Sequence, residues 1–296
     1  MKPGVYEGGL KLWECAIDLT AFLSQLPEAE QSQCIRGGTV LEAGCGHALP
    51  GIYALQSGAR CVHFQDYNSE ALEAATVPNI ILNCCQEEGP DLGRAGKEED
   101  KKEQRQQQQQ GACGGGEVAR GVCCQRLWET MKSEGGSVRL FNGDWDTFTD
   151  LVTVASSGDA AAAGPEEEEG DEGSGASSDV GGGGGVYDLI LSSDTLYSSQ
   201  SQEKLLRLLQ RTMRYPAGRA YFAAKSYYFG VGGGTKMFAD LLRRAEPTIG
   251  SGATAAAGST SVPAGSKLEV QQVWKCEDGS SNVREILEVT WASGTA

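Results

Sequence analysis

From residue 39 to residue 66 the sequence switches repeatedly between the two side-chain periods that regular backbone allows. Residues 39–43 are a short β-prone run, Gly44-Cys45-Gly46 breaks it, residues 50–56 are helix-like, and 61–65 are β-prone again with Asp66 at their carboxyl end. A strand that returns parallel to its predecessor needs a crossover of about a dozen residues or more, usually a helix. The spacing therefore predicts a parallel strand–helix–strand unit rather than a hairpin.

The rest of the chain extends that unit. Residues 15–26 predict a leading helix whose buried face is read from Ile17, Ala21, Phe22 and Leu26, mostly at three- and four-residue intervals. Asn68 is placed to cap a helix running to Ala75, and 77–83 continue the same layer. A third strand is read at 138–141 and a helix at 147–154. Residues 186–191 form an apolar run suited to a central strand buried on both faces, stopping at Ser192-Ser193-Asp194. Leu205, Leu206, Leu208 and Leu209 mark a helix at 202–214, followed by a fifth strand at 219–224 and a helix at 236–245. Residues 268–275 and 284–291 alternate apolar and polar side chains around Glu277-Asp278-Gly279-Ser280, the mark of a hairpin. The predicted class is α/β, a Rossmann-like seven-stranded sheet, mostly parallel with an antiparallel C-terminal hairpin, with helices on both faces.

Two stretches of the 296 residues stand apart, a Gln/Gly-rich one at 86–120 and an acidic, Gly/Ala-rich one at 156–185. Neither carries the apolar content of a packed core, so the reading is one domain over 1–296 with two low-complexity insertions. The formal net charge of −15 argues against a broad phosphate-binding surface, hence against direct nucleic-acid binding. Eight of the 40 acidic residues lie in the second insertion, without Lys or Arg, which leaves the core only mildly acidic. A solvated loop and an electrostatic lure for a basic protein partner both fit such a segment. Ten cysteines occur without a secretory signal, the pairs Cys84/Cys85 and Cys123/Cys124 lack zinc-ligand spacing, and the histidines are only His47 and His63. Reduced thiols and no metal are expected. No stretch approaches the ~20 apolar residues that span a bilayer, so a soluble intracellular monomer with no membrane contact is expected.

In an open parallel sheet, ligands bind beyond the carboxyl ends of the strands. Here Gly44 and Gly46 end the first strand, Asp66 the second, Asp144 the third and Asp194 the fourth. Glycines let backbone approach a nucleotide, and a carboxylate about 20 residues on accepts hydrogen bonds from ribose hydroxyls, so adenosine binding is implied. Nicotinamide and flavin enzymes share these elements. A dinucleotide fingerprint, however, would place a third glycine where Leu49 stands, and a nucleotide without pyrophosphate fits better. In Gly143-Asp144-Trp145 a carboxylate can accept from the adenine amino group and an indole can cover the ring; a polar turn with a half-buried Trp is the plainer reading. His47 reads as a loop residue, and His63, inside a strand, as a satisfied core histidine.

These motifs resemble the seven-β-strand methyltransferases, and within them the branch that methylates protein histidine. Residues 8–15 (GGLKLWEC) are similar to that branch's leading motif, 40–46 (VLEAGCG) to its nucleotide loop, and 63–68 (HFQDYN) to its ribose-binding strand end. Val77-Pro78-Asn79 fits too, and Ser193-Asp194-Thr195-Leu196-Tyr197 resembles the acidic-x-x-Tyr motif of the wider protein methyltransferases. Residues 224–234 (AKSYYFGVGGG) resemble the loop after the fifth strand in the histidine branch rather than in the lysine-modifying one. The resemblance covers nearly the whole chain outside the two insertions and 246–266. One departure is Ala48, where the nucleotide loop usually has a third glycine; its methyl is expected to intrude near the methionine part of the cofactor.

The resemblance implies S-adenosyl-L-methionine as cofactor, bound by Trp13, Glu14, Gly44, Gly46, Gln65, Asp66, Tyr67, Gly143, Asp144, Trp145 and Ser193. It implies Asp194 and Tyr197 as catalytic residues and Tyr227, Tyr228 and Phe229 as the substrate lip. The implied substrate is a histidine of a protein, a basic large-subunit ribosomal protein, and the implied location is cytoplasm and nucleus. A neutral imidazole is already nucleophilic near pH 7, so the site must supply orientation and the right tautomer more than base catalysis. Asp194 is the expected acceptor of the non-attacking ring N–H; a helix cap after the fourth strand is its other reading, open equally to Ser193. Tyr227, Tyr228 and Phe229 read equally as a packed aromatic cluster. Two rival functions stay open: a lysine methyltransferase of the same fold, and a module that binds the cofactor without transferring methyl.

Overall fold

The computed structural model describes residues 8–84, 138–156, 187–248, 262–277, 279 and 283–292. The expected insertion at 86–120 lies outside them, as does 156–185 beyond Ser156. In chain order the described elements are α1 (Glu14–Gln25), α2 (Glu28–Cys34), β1 (Thr39–Ala43), α3 (Leu49–Gln56), β2 (Cys61–Asp66), α4 (Ser69–Ala71) running through a π turn (Leu72–Thr76) into α5 (Val77–Cys84), β3 (Val138–Asn142), α6 (Trp145–Ser156), β4 (Leu189–Ser193), α7 (Ser199–Thr212), β5 (Arg219–Lys225), α8 (Thr235–Arg244), β6 (Leu268–Cys276) and β7 (Arg284–Trp291).

The strands form one seven-stranded sheet in the order β3-β2-β1-β4-β5-β7-β6. β1 to β5 run parallel, with Val40 beside both Val62 and Leu189, while β7 pairs antiparallel with β5 and with β6. The predicted class is borne out. β1 and β4 sit at the centre, where side chains on both faces are covered, hence their runs of apolar residues rather than alternation.

The two-residue period then sorts those runs into two cores. Val40, Val62, Phe64, Leu189, Leu191 and Tyr221 point to the face covered by α1, α3 and α5, through Leu19, Leu23, Ile52 and Ile80. Leu41, Ala43, Ile190, Ala220 and Phe222 point to the other, covered by α6, α7 and α8 through Phe148, Leu205, Leu208, Leu209, Phe238 and Leu242. Each fully buried Val, Leu, Ile or Phe among them contributes about 1.5–3 kcal/mol relative to exposure. Gly51 lets α3 approach the sheet: a Cβ there would lie 2.3 Å from the Phe64 ring and 2.6 Å from Glu42 Oε2. Glu42 accepts the Gly51 N–H at 2.8 Å, and burial lifts its carboxyl well above the usual range.

Several sequence expectations need correction. The α1 face is as expected only in part: Leu26 is buried and Phe22 packs against the core, but the stripe runs through the buried Cys15, Leu19 and Leu23, whereas Ile17 is 51% exposed and Ala21 also faces solvent. Helix α2 was not expected, since its seven residues, EAEQSQC, carry little apolar pattern. Asn68 stands at the N-cap of α4, but its side chain makes no capping hydrogen bond; its backbone N–H instead goes to Asp66 Oδ1 at 3.2 Å. β4 starts at Leu189 and continues through Ser193 instead of stopping at Leu191, because Ser192 and Ser193 still pair with Phe222 and Ala223 of β5.

Candidate active site

Chain order reverses between β1 and β4, and the loops leaving the two strands diverge there. A cavity of about 300 Å³ occupies this position. Around it stand Gly44, Cys45, Gly46 and His47 after β1, Asp66 and Tyr67 at the end of β2, Gly143, Asp144 and Trp145 after β3, and Ser193, Asp194, Thr195 and Tyr197 from the end of β4 onward. Residues 8–13 cross it as a strap, contributing Gly8, Gly9, Lys11, Leu12 and Trp13. Ser198, Gln200, Ser201 and Lys204 at the start of α7 complete the wall; the sequence offered no signal for them beyond an amphipathic helix.

Polar groups under the wall fix the strand ends. Gln65 Oε1 accepts the Trp145 indole N–H at 2.6 Å and the Gly44 N–H at 3.3 Å, while its Nε2 donates to the Gly143 carbonyl at 2.7 Å. Gln65 thus ties β1, β2 and β3 together and orients the indole, and it is not itself a wall residue as expected. Asp66 is buried, accepting the Gly46 N–H at 3.0 Å on Oδ2. Asp144 is more committed than foreseen: Oδ1 accepts the Asp146 N–H at 2.9 Å, in the manner of a cap on α6, and Oδ2 takes the Lys204 ammonium.

At the end of β4, Asp194 adopts a left-handed backbone, φ 53°, uncommon for a residue with a Cβ. Its backbone N–H donates to the Ala223 carbonyl at 2.9 Å, its Oδ1 accepts the Tyr228 hydroxyl at 2.7 Å, and its Oδ2 accepts the Cys15 N–H at 3.2 Å. Burial pushes the Asp194 carboxyl up, and the bonds from Tyr228 and Cys15 pull it partly back. The helix-cap reading falls away, since α7 is capped by Ser198, which accepts the Ser201 N–H at 3.1 Å. Burial and the neighbouring Asp194 charge push the Tyr228 phenol up.

The other expected residues divide. Trp13 lies on the wall, with the Lys11 ammonium 4.2 Å and the Lys225 ammonium 5.7 Å from its ring centroid, so its faces already attract cations. Glu14 stands off the wall and faces Lys225 at 3.7 Å; its carboxyl is lowered chiefly by a backbone hydrogen bond within its own residue. The aromatic run does not act as one group, because alternate residues point apart: Tyr228 turns in to Asp194, while Tyr227 and Phe229 are 47% and 76% exposed and meet each other at 5.1 Å. None of the three lines the cavity itself. Ala48, at φ 62°, is buried in the core beside α3 and does not reach the cavity wall, so its methyl does not intrude as expected. His63 is a satisfied core histidine, its Nδ1 2.8 Å from the buried Tyr187 hydroxyl, and burial lowers its pKa to about 4.

No protein-family model matches the chain. Curated proteins do. A "Histidine protein methyltransferase 1 homolog" of Dictyostelium discoideum is 31% identical over 288 residues, covering 97% of this chain and 59% of its own. The Mus musculus protein of the same name is 35% identical over 240 residues, 80% of this chain and 49% of its own. Over most of its length the chain is similar to the histidine protein methyltransferases. "Histidine protein methyltransferase 1" of Saccharomyces cerevisiae extends the likeness at 25% identity, over 80% of this chain and 57% of that protein. The chain therefore spans between about half and three-fifths of the length of the curated relatives it matches. Among solved structures, an S-adenosylmethionine dependent methyltransferase from Mesorhizobium loti overlays 69% of this chain and 51% of its own at 14% identity and a TM-score of 0.31, too slight a likeness to add to the strand order above. Among the described residues no group of three or more His, Cys, Asp or Glu side chains is placed to hold a metal ion, and no helix is long and apolar enough to cross a membrane. Cys15, Cys34, Cys45 and Cys276 are free thiols.

Proposed function

We propose that this chain is an S-adenosyl-L-methionine-dependent protein-histidine N-methyltransferase, and that Asp194 holds the substrate imidazole. The observation that carries the reading is a strained carboxylate at a strand end, anchored on both oxygens and lining the same cavity as the buried Asp66. The names of the curated relatives support it. The residues fit the cofactor: Asp66 offers acceptors to a ribose diol, Trp145 an oriented indole for a purine, and Trp13 a cation-attracting face for a sulfonium.

The cofactor, when bound, supplies an electrophilic methyl group on a positively charged sulfur. The chain's own residues then have three tasks. Asp194 accepts the N–H of the non-attacking ring nitrogen, which leaves the other nitrogen's lone pair free, and takes up that proton as the methylated ring discharges. Tyr228 and Cys15 hold the carboxylate so that it need not reorganise. Tyr197 shapes the pocket, and the exposed Tyr227 and Phe229 meet the protein around the target histidine. A basic ribosomal protein of the large subunit, met in cytoplasm or nucleus by a monomeric enzyme, suits the mild acidity of the core.

Calorimetric titration with S-adenosylmethionine, S-adenosylhomocysteine and a nicotinamide dinucleotide tests the cofactor. The first two should bind and the third should not. Labelled cofactor in lysate, followed by identification of the modified residue, tests the substrate: label on histidine is expected, label on lysine alone overturns the assignment, and cofactor binding without label leaves the non-catalytic module.

A further inference from the structure

His47 sits in the nucleotide loop and faces the strap rather than the cavity's polar groups. Its Nε2 lies 3.2 Å from the Leu10 carbonyl, and its Nδ1 lies 3.3 Å from Asn79 Nδ2. The same Asn79 Nδ2 donates to the His47 backbone carbonyl at 2.9 Å, which fixes the orientation of the amide. An amide nitrogen facing Nδ1 makes Nδ1 the acceptor, so the ring proton is on Nε2 and is donated to Leu10. The π turn brings Asn79 to this place: Thr76, at its end, donates to the Gly46 carbonyl at 2.6 Å, and α5 starts immediately after.

The strap held by this relay lies directly on the expected cofactor loop. A Cβ on Gly9 would lie 2.7 Å from Ala71 Cβ and 3.1 Å from both Asp66 carboxylate oxygens, and a Cβ on Gly46 would lie 3.0 Å from the Gly9 carbonyl oxygen. A ligand held by Gly44, Gly46 and Asp66 therefore sits against residues 8–13. We propose that His47 is a positioning residue that latches this strap across the cavity through Leu10, with Asn79 fixing its tautomer, and so sets how firmly the cofactor is retained. The last clause rests on the cofactor reading above; the latch itself does not.

The test uses the full chain and two readouts. The first is hydrogen exchange of the strap amides without ligand, compared with amides of β1 and β4; the second is affinity for S-adenosylhomocysteine by calorimetry. His47→Ala should speed strap exchange by about tenfold, leave the central strands unchanged and weaken S-adenosylhomocysteine by about tenfold. Asn79→Ala, on a partly exposed helix face, should act in the same direction but less, and should add little to His47→Ala. His47→Gln, which keeps a donor, should recover part of the effect. Unchanged strap exchange in both alanine variants overturns the latch, whatever the ligand does. If His47→Ala frees the strap but the parent chain does not bind S-adenosylhomocysteine, the latch stands and the cofactor reading fails.

Discussion

β1 and β4 lie side by side at the centre of the sheet, and each leads into a non-glycine residue with a left-handed backbone, Ala48 at φ 62° and Asp194 at φ 53°. Such a conformation costs on the order of 1–2 kcal/mol in either place. What holds it differs. Ala48 is kept by local backbone hydrogen bonds, its N–H to the Cys45 carbonyl at 2.6 Å and its carbonyl from the Ile52 N–H at 2.9 Å, and by packing, its methyl buried among apolar neighbours at the start of α3. Asp194 is kept by the hydrogen bond its backbone N–H donates to Ala223 of β5 and by those its carboxylate accepts from Tyr228 and Cys15, and its side chain lines the cavity. The difference teaches that strain alone does not single out a candidate functional residue; strain maintained by polar partners that aim a side chain into a cavity does.

The largest effect should follow from removing charge at the second position while keeping the backbone. Asn tolerates a left-handed conformation, so Asp194→Asn should fold and bind S-adenosylhomocysteine within about threefold of the parent, yet lose about 10²–10⁴-fold in kcat. Full turnover in that variant would leave Asp194 no more functional than Ala48. The pH profile sharpens the point. Because burial raises the Asp194 carboxyl, and only the ionised form can both accept the imidazole N–H and take up its proton, activity should fall with decreasing pH above the usual aspartate range of about 3.9. A kcat profile flat down to that range would contradict the assignment.

Tyr228→Phe removes a charge-assisted hydrogen bond that lowers the Asp194 pKa, so kcat should drop by about tenfold and the acid limb should move further up in pH. A limb that moves down would mean the phenol does not stabilise the ionised carboxylate. The smallest effect is expected from Ala48→Gly. Relief of the left-handed strain offsets the lost buried methyl and the added chain entropy, so urea unfolding should change by less than about 1 kcal/mol, with S-adenosylhomocysteine affinity unaltered. Tighter binding in this variant would restore the view that the methyl intrudes on the cofactor.

Much of this cavity's lining is legible in the sequence, and the reason is local. Glycines and carboxylates stand where apolar runs end, and in a parallel sheet those ends converge, so Gly44, Asp66, Asp144 and Asp194 could be read together. The roles within the cluster were less legible. Gln65 turned out to brace the wall from behind, and Asp144 already has Lys204 and the α6 backbone as partners. Tyr227, Tyr228 and Phe229 form a loop without a repeating period, so nothing in the string says which ring turns inward.

Helix α1 draws the line most clearly. Its twelve residues carry one apolar stripe through Cys15, Leu19 and Leu23 and another through Ile17 and Ala21, and periodicity alone identifies a helix without choosing between them. The sheet chose, because the helix packs against β5 and α3 with Arg284 of β7 gripping Asp18 at 2.5 Å. The sequence by itself determined what short-range periods and breaks can encode: the order of strands and helices apart from α2, the parallel class, and the polar residues at the strand ends. Only the tertiary structure decided which face of α1 is buried, which tyrosine reaches Asp194, and that His47, Asn79 and Leu10 form a relay, since each depends on contacts between residues far apart in the chain.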